Sequence, residues 1–227
     1  MLAVFKKELK SYFLSPIGYV VIGILLFVFT VFFYLTTISA SSIDLGALYY
    51  NTAFIGLIIA IPILTMRMFA EERKTGTEQL ILTSPVSITG VVFGKFFAAM
   101  FVILVALLIS FVYFGIMCYF GTPNIMVQLV TVLGFLLISG AAISIGMFAS
   151  SITENQVIAG IITIAFFLMS LYVPQLGEGF QMISIMDFYD YFPSGVIRLT
   201  DVVGSVSFAG MFIAFTIIVM QRRKLVK

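Results

Sequence analysis

Long apolar runs broken by brief polar ones set the pattern of this chain. Apolar stretches cover about 17–39, 47–67, 91–119, 126–150, 157–173 and 205–220. Each is near the ~20 residues a helix needs to cross a bilayer. Lipid gives the backbone no hydrogen-bond partners, so a crossing segment must be a helix or part of a closed barrel. Barrel strands alternate over ~10 residues; these runs do not alternate, so helices are predicted. The polar breaks read as turns: Ser39–Gly46 with Asp44, Gly121–Asn124, and Ser150–Gln156. Pro62 should kink the second span near its end, and the long third span should tilt or project from the membrane.

Two other stretches are neither apolar nor plain loop. In residues 1–15, Leu2, Phe5, Leu9, Tyr12 and Phe13 recur at spacings of three and four, while Lys6, Lys7, Lys10 and Ser11 fill the other face. That is an amphipathic helix lying in the membrane interface, its cations toward anionic headgroups. A signal-peptide n-region is the competing reading, but the 22-residue run that follows exceeds an ordinary signal core and lacks a small-x-small cleavage site. Residues 175–204 mix Glu178, Asp187, Asp190, Arg198 and Asp201 with Phe180, Ile183, Tyr189 and Phe192. Two short helices dipping into one leaflet, a re-entrant segment before the last span, would satisfy both characters.

Composition agrees. The 227 residues are 62% hydrophobic and 10% charged, against about 25% charge in soluble domains. Cations orient the chain. With six spans and the N-terminus inside, Lys6, Lys7, Lys10, Arg67, Arg73, Lys74, Lys95, Arg222, Arg223, Lys224 and Lys227 fall on the inner side and only Arg198 outside. This positive-inside bias predicts both termini in the cytoplasm and a single multi-pass domain over 1–227.

Several chemistries are excluded. There is no His, so the commonest base and metal ligand is missing. The one Cys, Cys118, lies in an apolar run and forms no disulfide or thiolate cluster alone. No charge sits mid-span, which argues against proton-coupled transport. Gly90 to Phe96 lacks the spacing and the Ser or Thr of a phosphate-binding loop. Nothing marks the chain as an enzyme, a metal binder or a nucleic-acid binder.

The stretch Arg67–Lys95 holds four of the twelve Lys and Arg and three of the ten Asp and Glu. Arg67 with Glu71 and Lys74 with Glu78 are i,i+4 pairs. Thr75-Gly76-Thr77-Glu78 reads as a capping box, Thr75 as N-cap and Glu78 reaching back. A two-turn helix from Gly76 to Thr83 follows, with Leu80, Ile81 and Leu82 apolar, and Ser84-Pro85 stops it. Such a knob fits a groove on a partner; an interfacial helix resting on lipid is the plainer alternative.

Residues 71–96, E-E-R-K-T-G-T-E-Q-L-I-L-T-S-P-V-S-x-x-x-x-V-F-G-K-F, resemble the signature of type-2 ABC exporter permeases. They are most similar to the small six-span permeases of the gliding-motility-associated and copper-processing type. The N-terminal helix and the ending F-x-x-G-V-I-x-L-x-D-V-V, Phe192–Val203, resemble that family too. The resemblance implies a permease subunit in a bacterial plasma membrane, paired with an identical or similar permease and bound to two cytosolic ABC ATPase subunits. Those subunits, not this chain, would hold ATP and magnesium. It makes 68–90 the coupling loop, Gly76–Thr83 the coupling helix, and 1–15 the connecting helix. Glu71, Glu72, Arg73, Gly76, Thr77, Glu78, Leu80, Leu82 and Pro85 would transmit ATPase movement. It places the substrate pathway between the two permeases, lined by spans two and five: Asn51, Phe54, Phe166, Phe167, Met169 and Tyr172. Ordinary lipid or helix contacts are the alternative for these six. Segment 178–203 would narrow the outer exit. A scaffold that anchors or moves a partner protein, with an accessory membrane subunit, is the alternative to solute export.

In span four, Ala142, Gly146 and Ser150, and likewise Gly140 and Ser144, follow a small-xxx-small pattern. They should admit a neighbouring helix closely, within the subunit or at the dimer seam.

Overall fold

Short polar side chains start most of the long helices. The structure, a computed structural model, describes residues 1–40, 43–79, 86–172 and 184–225. Helix α1 (Leu2–Leu14) ends at Ser15, whose extended backbone turns the chain and whose Oγ accepts from Ile17 N at 3.4 Å. Pro16 then opens α2 (Pro16–Phe33), a position where its missing N–H costs nothing. A π-helical turn, Tyr34–Ser39, prolongs it. Asp44 caps α3 (Leu45–Thr65), accepting from Ala47 N at 2.9 Å. Ser87 caps α5 (Ile88–Phe120) and Asn124 caps α6 (Ile125–Ile152) in the same way. Between α3 and α5 lies the single-turn helix α4 (Ala70–Lys74). Then come α7 (Gln156–Tyr172) and α8 (Leu199–Leu225).

Five of these helical stretches are long and apolar enough to cross a membrane: Pro16–Ser39, Leu45–Lys74, Ile88–Phe120, Ile125–Ile152 and Leu199–Lys224. The apolar helix beginning at Gln156 is shorter. No strand occurs among the described residues. The final helix departs from expectation. It starts at Leu199, so residues 199–204, read as part of the re-entrant segment, are its first turns. The described remainder of that segment holds two 3-10 turns, Met186–Phe188 and Phe192–Ser194. Residues 173–183 lie outside the described ones.

Helix α6 is the axis of the bundle, packed against α3, α5, α7 and α8. Its polar residues Thr131, Ser139 and Ser144 donate to its own carbonyls, so they add no unpaired groups to an apolar core. Two of its glycines set close approaches. A Cβ on Gly134 would collide with the Phe192 ring, one on Gly146 with Thr65 of α3, and one on Gly140 would lie 3.5 Å from Met100 of α5. The small-residue pattern therefore serves packing within the subunit.

Ion pairs and hydrogen bonds tie α1, α4, α5 and the C-terminal ends of α6 and α8 together at one end, the basic end. At the opposite end Tyr189 and Phe192 are buried against α3 and α6. Thr131 Oγ1 lies 3.1 Å from Phe192 O, sharing its proton between that carbonyl and Val127 O, and Tyr50 stacks on Tyr189. Burial raises the Asp190 carboxyl above its ordinary range; Tyr50 opposes this through a hydrogen bond, while Asp187 and Asp201 add to it.

Candidate functional site

Lys95 stands in the second turn of α5 among Val91, Val92, Phe96, Ala98 and Ala99, and only 2% of it is exposed. A lone cation there would carry a desolvation cost of several kcal/mol. Two carboxylates from other elements offset it. The Nζ donates to Glu72 Oε1 of α4 at 2.8 Å and to Glu8 Oε1 of α1 at 3.1 Å. Its third side faces the Phe69 ring, 5.3 Å from the centroid. Lys7 lies 3.7 Å from Glu72 and 3.9 Å from Glu8. Two lysines and two glutamates thus form one neutral cluster that locks three elements. Tyr12, one turn after Glu8, is buried beside it. Burial pushes its phenol far above the usual tyrosine range, and Glu8 and Glu72 reinforce the shift.

Beside this cluster opens a polar cavity of about 460 Å³, with Lys7, Glu8, Arg67, Glu71, Glu72 and Lys95 on its wall. Its charged groups come from α1, α5 and the loop after α3, so movement of that loop would change its shape.

The loop is held by side chains from far along the chain. Helix α3 stops at Thr65, and the α4 N-cap, Phe69, has no side-chain oxygen to satisfy the new helix start. Ser150 of α6 supplies one. Its Oγ accepts from Phe69 N and Ala70 N, both at 3.1 Å, and donates to Met66 O at 3.1 Å. Ser150→Ala leaves two buried N–H groups and a carbonyl without that partner. We expect a stability loss of about 1–3 kcal/mol, with faster amide hydrogen exchange over residues 66–74 than elsewhere.

Past α4, Arg73 reaches the junction of α6 and α7, pairing with Glu154 at 2.7 Å and donating to Ile152 O at 3.1 Å. Glu78 accepts from Arg223 of α8 at 3.1 Å, and Arg223 also donates to Ser151 O. These contacts correct the reading of Thr75–Glu78 as a capping box. Thr75 caps the C-terminus of α4, its Oγ1 donating to Glu71 O at 2.9 Å. Gly76 has φ 74, a left-handed conformation that favours glycine and ends the helix. Helical structure resumes at residue 78, so Gly76 stands outside it. Neither predicted i,i+4 pair forms among the described residues; Glu78 turns to Arg223, not Lys74.

The nine predicted coupling residues therefore separate. Glu72 is bonded into the buried cluster, Arg73 and Glu78 anchor the loop to other helices, and Glu71 lines the cavity. Gly76 and Thr77 form the exposed turn. Leu80, Leu82 and Pro85 lie outside the described residues.

The six pathway candidates also divide. Phe54 of α3 and Met169 and Tyr172 of α7 are exposed, Met169 to 59% and Tyr172 to 64%. Phe167 is 5% exposed and belongs to the core. Phe166 packs against Phe208 and Phe212 of α8. Asn51 donates to Ala47 O of its own helix at 2.7 Å.

Glu8, Lys95, Glu154 and Arg223 were not recognised from sequence as site residues. One signal was available: Glu8 shares the apolar stripe of α1 with Phe5, Leu9 and Tyr12. An acid on such a stripe needs a buried partner.

Residues 2–194 match the family model described as ABC-2 family transporter protein. No curated protein matches the chain. The match runs from the first helix through the Lys95 cluster to the buried turn at Phe192. With well over half of its 227 residues matched, this multi-pass membrane chain belongs to the ABC-2 transporter family, as a permease subunit of an ABC transporter.

Proposed function

We propose that this chain is the permease of an ATP-driven exporter in a bacterial plasma membrane, moved by a separate cytosolic ATPase that docks on the loop after α3. The observation that carries this reading is the Lys95 cluster. It joins α1, α4 and α5 into one body directly beside the exposed turn Thr75–Thr77. A push on that turn would reach α6 through Ser150 and α5 through Lys95. A solvated linker would transmit no such push. In this reading the basic end faces the cytoplasm, and two permeases carry two ATPases, which hold ATP and magnesium.

Helix α7 counts as the sixth crossing. Its 17 residues are about 26 Å long, slightly less than the ~30 Å hydrocarbon core. Its start adjoins Glu154, paired with Arg73 at the basic end, and Ser170 accepts from Ile185 N at 2.7 Å at the opposite end.

Glu71 lines the cavity and forms no ion pair among the described residues. The test uses the tagged chain with the ATPase that copurifies with it, reconstituted in proteoliposomes. Glu71→Ala should lower stimulation of that ATPase roughly ten-fold, the loss of one interfacial contact of about 1.4 kcal/mol, with an unchanged melting temperature. Absence of a copurifying ATPase, or full stimulation with Glu71→Ala, would overturn the proposal.

A further inference from the structure

An apolar cavity of about 560 Å³ opens between α1 and α5. Leu2 and Phe5 of α1, Phe97, Phe101 and Leu104 of α5 and Leu136 of α6 line it, and no lining side chain is polar. The volume lies within the roughly 300–1,000 Å³ range of ligand pockets. Its mouth is open, and Leu2, Phe97 and Phe101 remain exposed.

The depth of the cavity in the bilayer follows from α5. At 33 residues the helix is about 50 Å long, far more than the ~30 Å hydrocarbon core. Tyr119 and Phe120 are exposed aromatics at its C-terminal end, as expected at a membrane interface. Counting back the ~20 residues that cross the core brings the other boundary close to Phe101. The cavity, between Phe97 and Leu104, therefore straddles the boundary between headgroups and acyl chains. Lys95 lies beyond it, outside the hydrocarbon.

Charge selects the occupant. Leu2, Lys6 and Lys10 follow one another at i,i+4 on α1, so a row of cations starts at the rim of the cavity. Lys6 and Lys10 are exposed and make no ion pair among the described residues. The one acid of α1, Glu8, is turned inward to Lys95. This face thus presents apolar space at acyl depth and uncompensated positive charge at headgroup depth. A crossing helix of another protein would need a groove along the whole of α5, whereas this cavity spans about two turns.

We propose that this cavity is a binding site for one anionic phospholipid, with an acyl chain between α1 and α5 and the headgroup phosphate on Lys6 and Lys10. Such a lipid would brace α1 from the membrane side while Lys95 holds it from the protein side. The site is independent of whether an ATPase docks on the loop.

Native mass spectrometry of the purified chain in detergent tests it, with dioleoyl phosphatidylglycerol and dioleoyl phosphatidylcholine titrated separately. One phosphatidylglycerol per chain should persist at energies that strip phosphatidylcholine. A cation near an anionic headgroup contributes roughly five-fold in affinity, so Lys6→Gln with Lys10→Gln should weaken phosphatidylglycerol binding by roughly 25-fold and leave phosphatidylcholine unchanged. Leu104→Trp, which fills the cavity, should weaken binding with both lysines present. Equal retention of the two lipids, binding untouched by either variant, or a copurifying peptide in place of lipid would each overturn the proposal.

Discussion

Lys95→Met is expected to cost about 3 kcal/mol of stability, read as a lower unfolding midpoint in detergent micelles. Methionine matches the length of the lysine stem. What it removes is the charge that neutralises Glu8 and Glu72, which contact Lys95 at 3.1 and 2.8 Å. Breaking a buried ion pair from one side leaves an uncompensated charge and typically costs about 3–5 kcal/mol. The lower figure applies because Glu72 is partly exposed and Lys7 remains within 3.7 Å of it. The same lysine lies 3.9 Å from Glu8. Adding Glu8→Gln and Glu72→Gln to Lys95→Met should restore much of the loss, because the buried groups are then neutral and the one charge left, on Lys7, is largely exposed. An unchanged midpoint for Lys95→Met alone would show that the cluster contributes nothing to holding α1, α4 and α5 together.

The same cluster shows why the spans were legible in the sequence and the site was not. Helix ends depend on nearest neighbours. Ser15-Pro16, Asp44, Ser87 and Asn124 each cap within two or three residues, so a local pattern suffices to find them. Lys95 and Glu8 are 87 positions apart, and Arg223 and Glu78 are 145 apart. Nothing local announces such pairs. The second pair also explains the failed capping box. Glu78 has the spacing to reach back toward Thr75, but Arg223 offers a charge-assisted bond and the left-handed Gly76 breaks the helix between them. The start of α8 was missed for a different reason. Leu199-Thr200-Asp201 is too polar to read as a span, yet a helix can begin before it enters lipid, and an acid in its first turn favours that start. Glu72 shows how the structure changes a role. Beside Glu71 in sequence it looked like a partner in coupling; bonded to Lys95 at 2.8 Å it holds the fold. Glu72→Ala is therefore a poor probe of ATPase docking, and Glu71→Ala a better one.

Gly146→Leu is expected to be about as damaging as Lys95→Met, and for a steric reason. Gly146 is fully inside the bundle, where α6 crosses α3. A Cβ built there meets Thr65 Oγ1 and lies 2.8 Å from Thr65 Cβ and 3.0 Å from its Cγ2. Thr65 cannot swing away freely. It is β-branched, fully buried, and bonded to Ile61 O at 2.8 Å. Local and tertiary effects have opposite signs here. Leucine favours a helix over glycine by somewhat under 1 kcal/mol, whereas overpacking a tight core costs about 1–3 kcal/mol, occasionally more. A four-carbon side chain in this gap belongs at the upper end, so the net loss should be roughly 2 kcal/mol or more. The damage should also reach the loop, because Thr65 is the last residue of α3 and Ser150, one turn along α6, holds the break that follows. Hydrogen exchange should therefore quicken over 66–74 together with the fall in midpoint. Gly146→Ala tests the balance on its own, and combining it with Thr65→Ala should recover part of its loss by removing Oγ1 and Cγ2 and leaving only the Cβ contact. A more stable Gly146→Leu protein would mean that helix propensity dominates and that α3 and α6 do not approach as closely as the Thr65 contact requires.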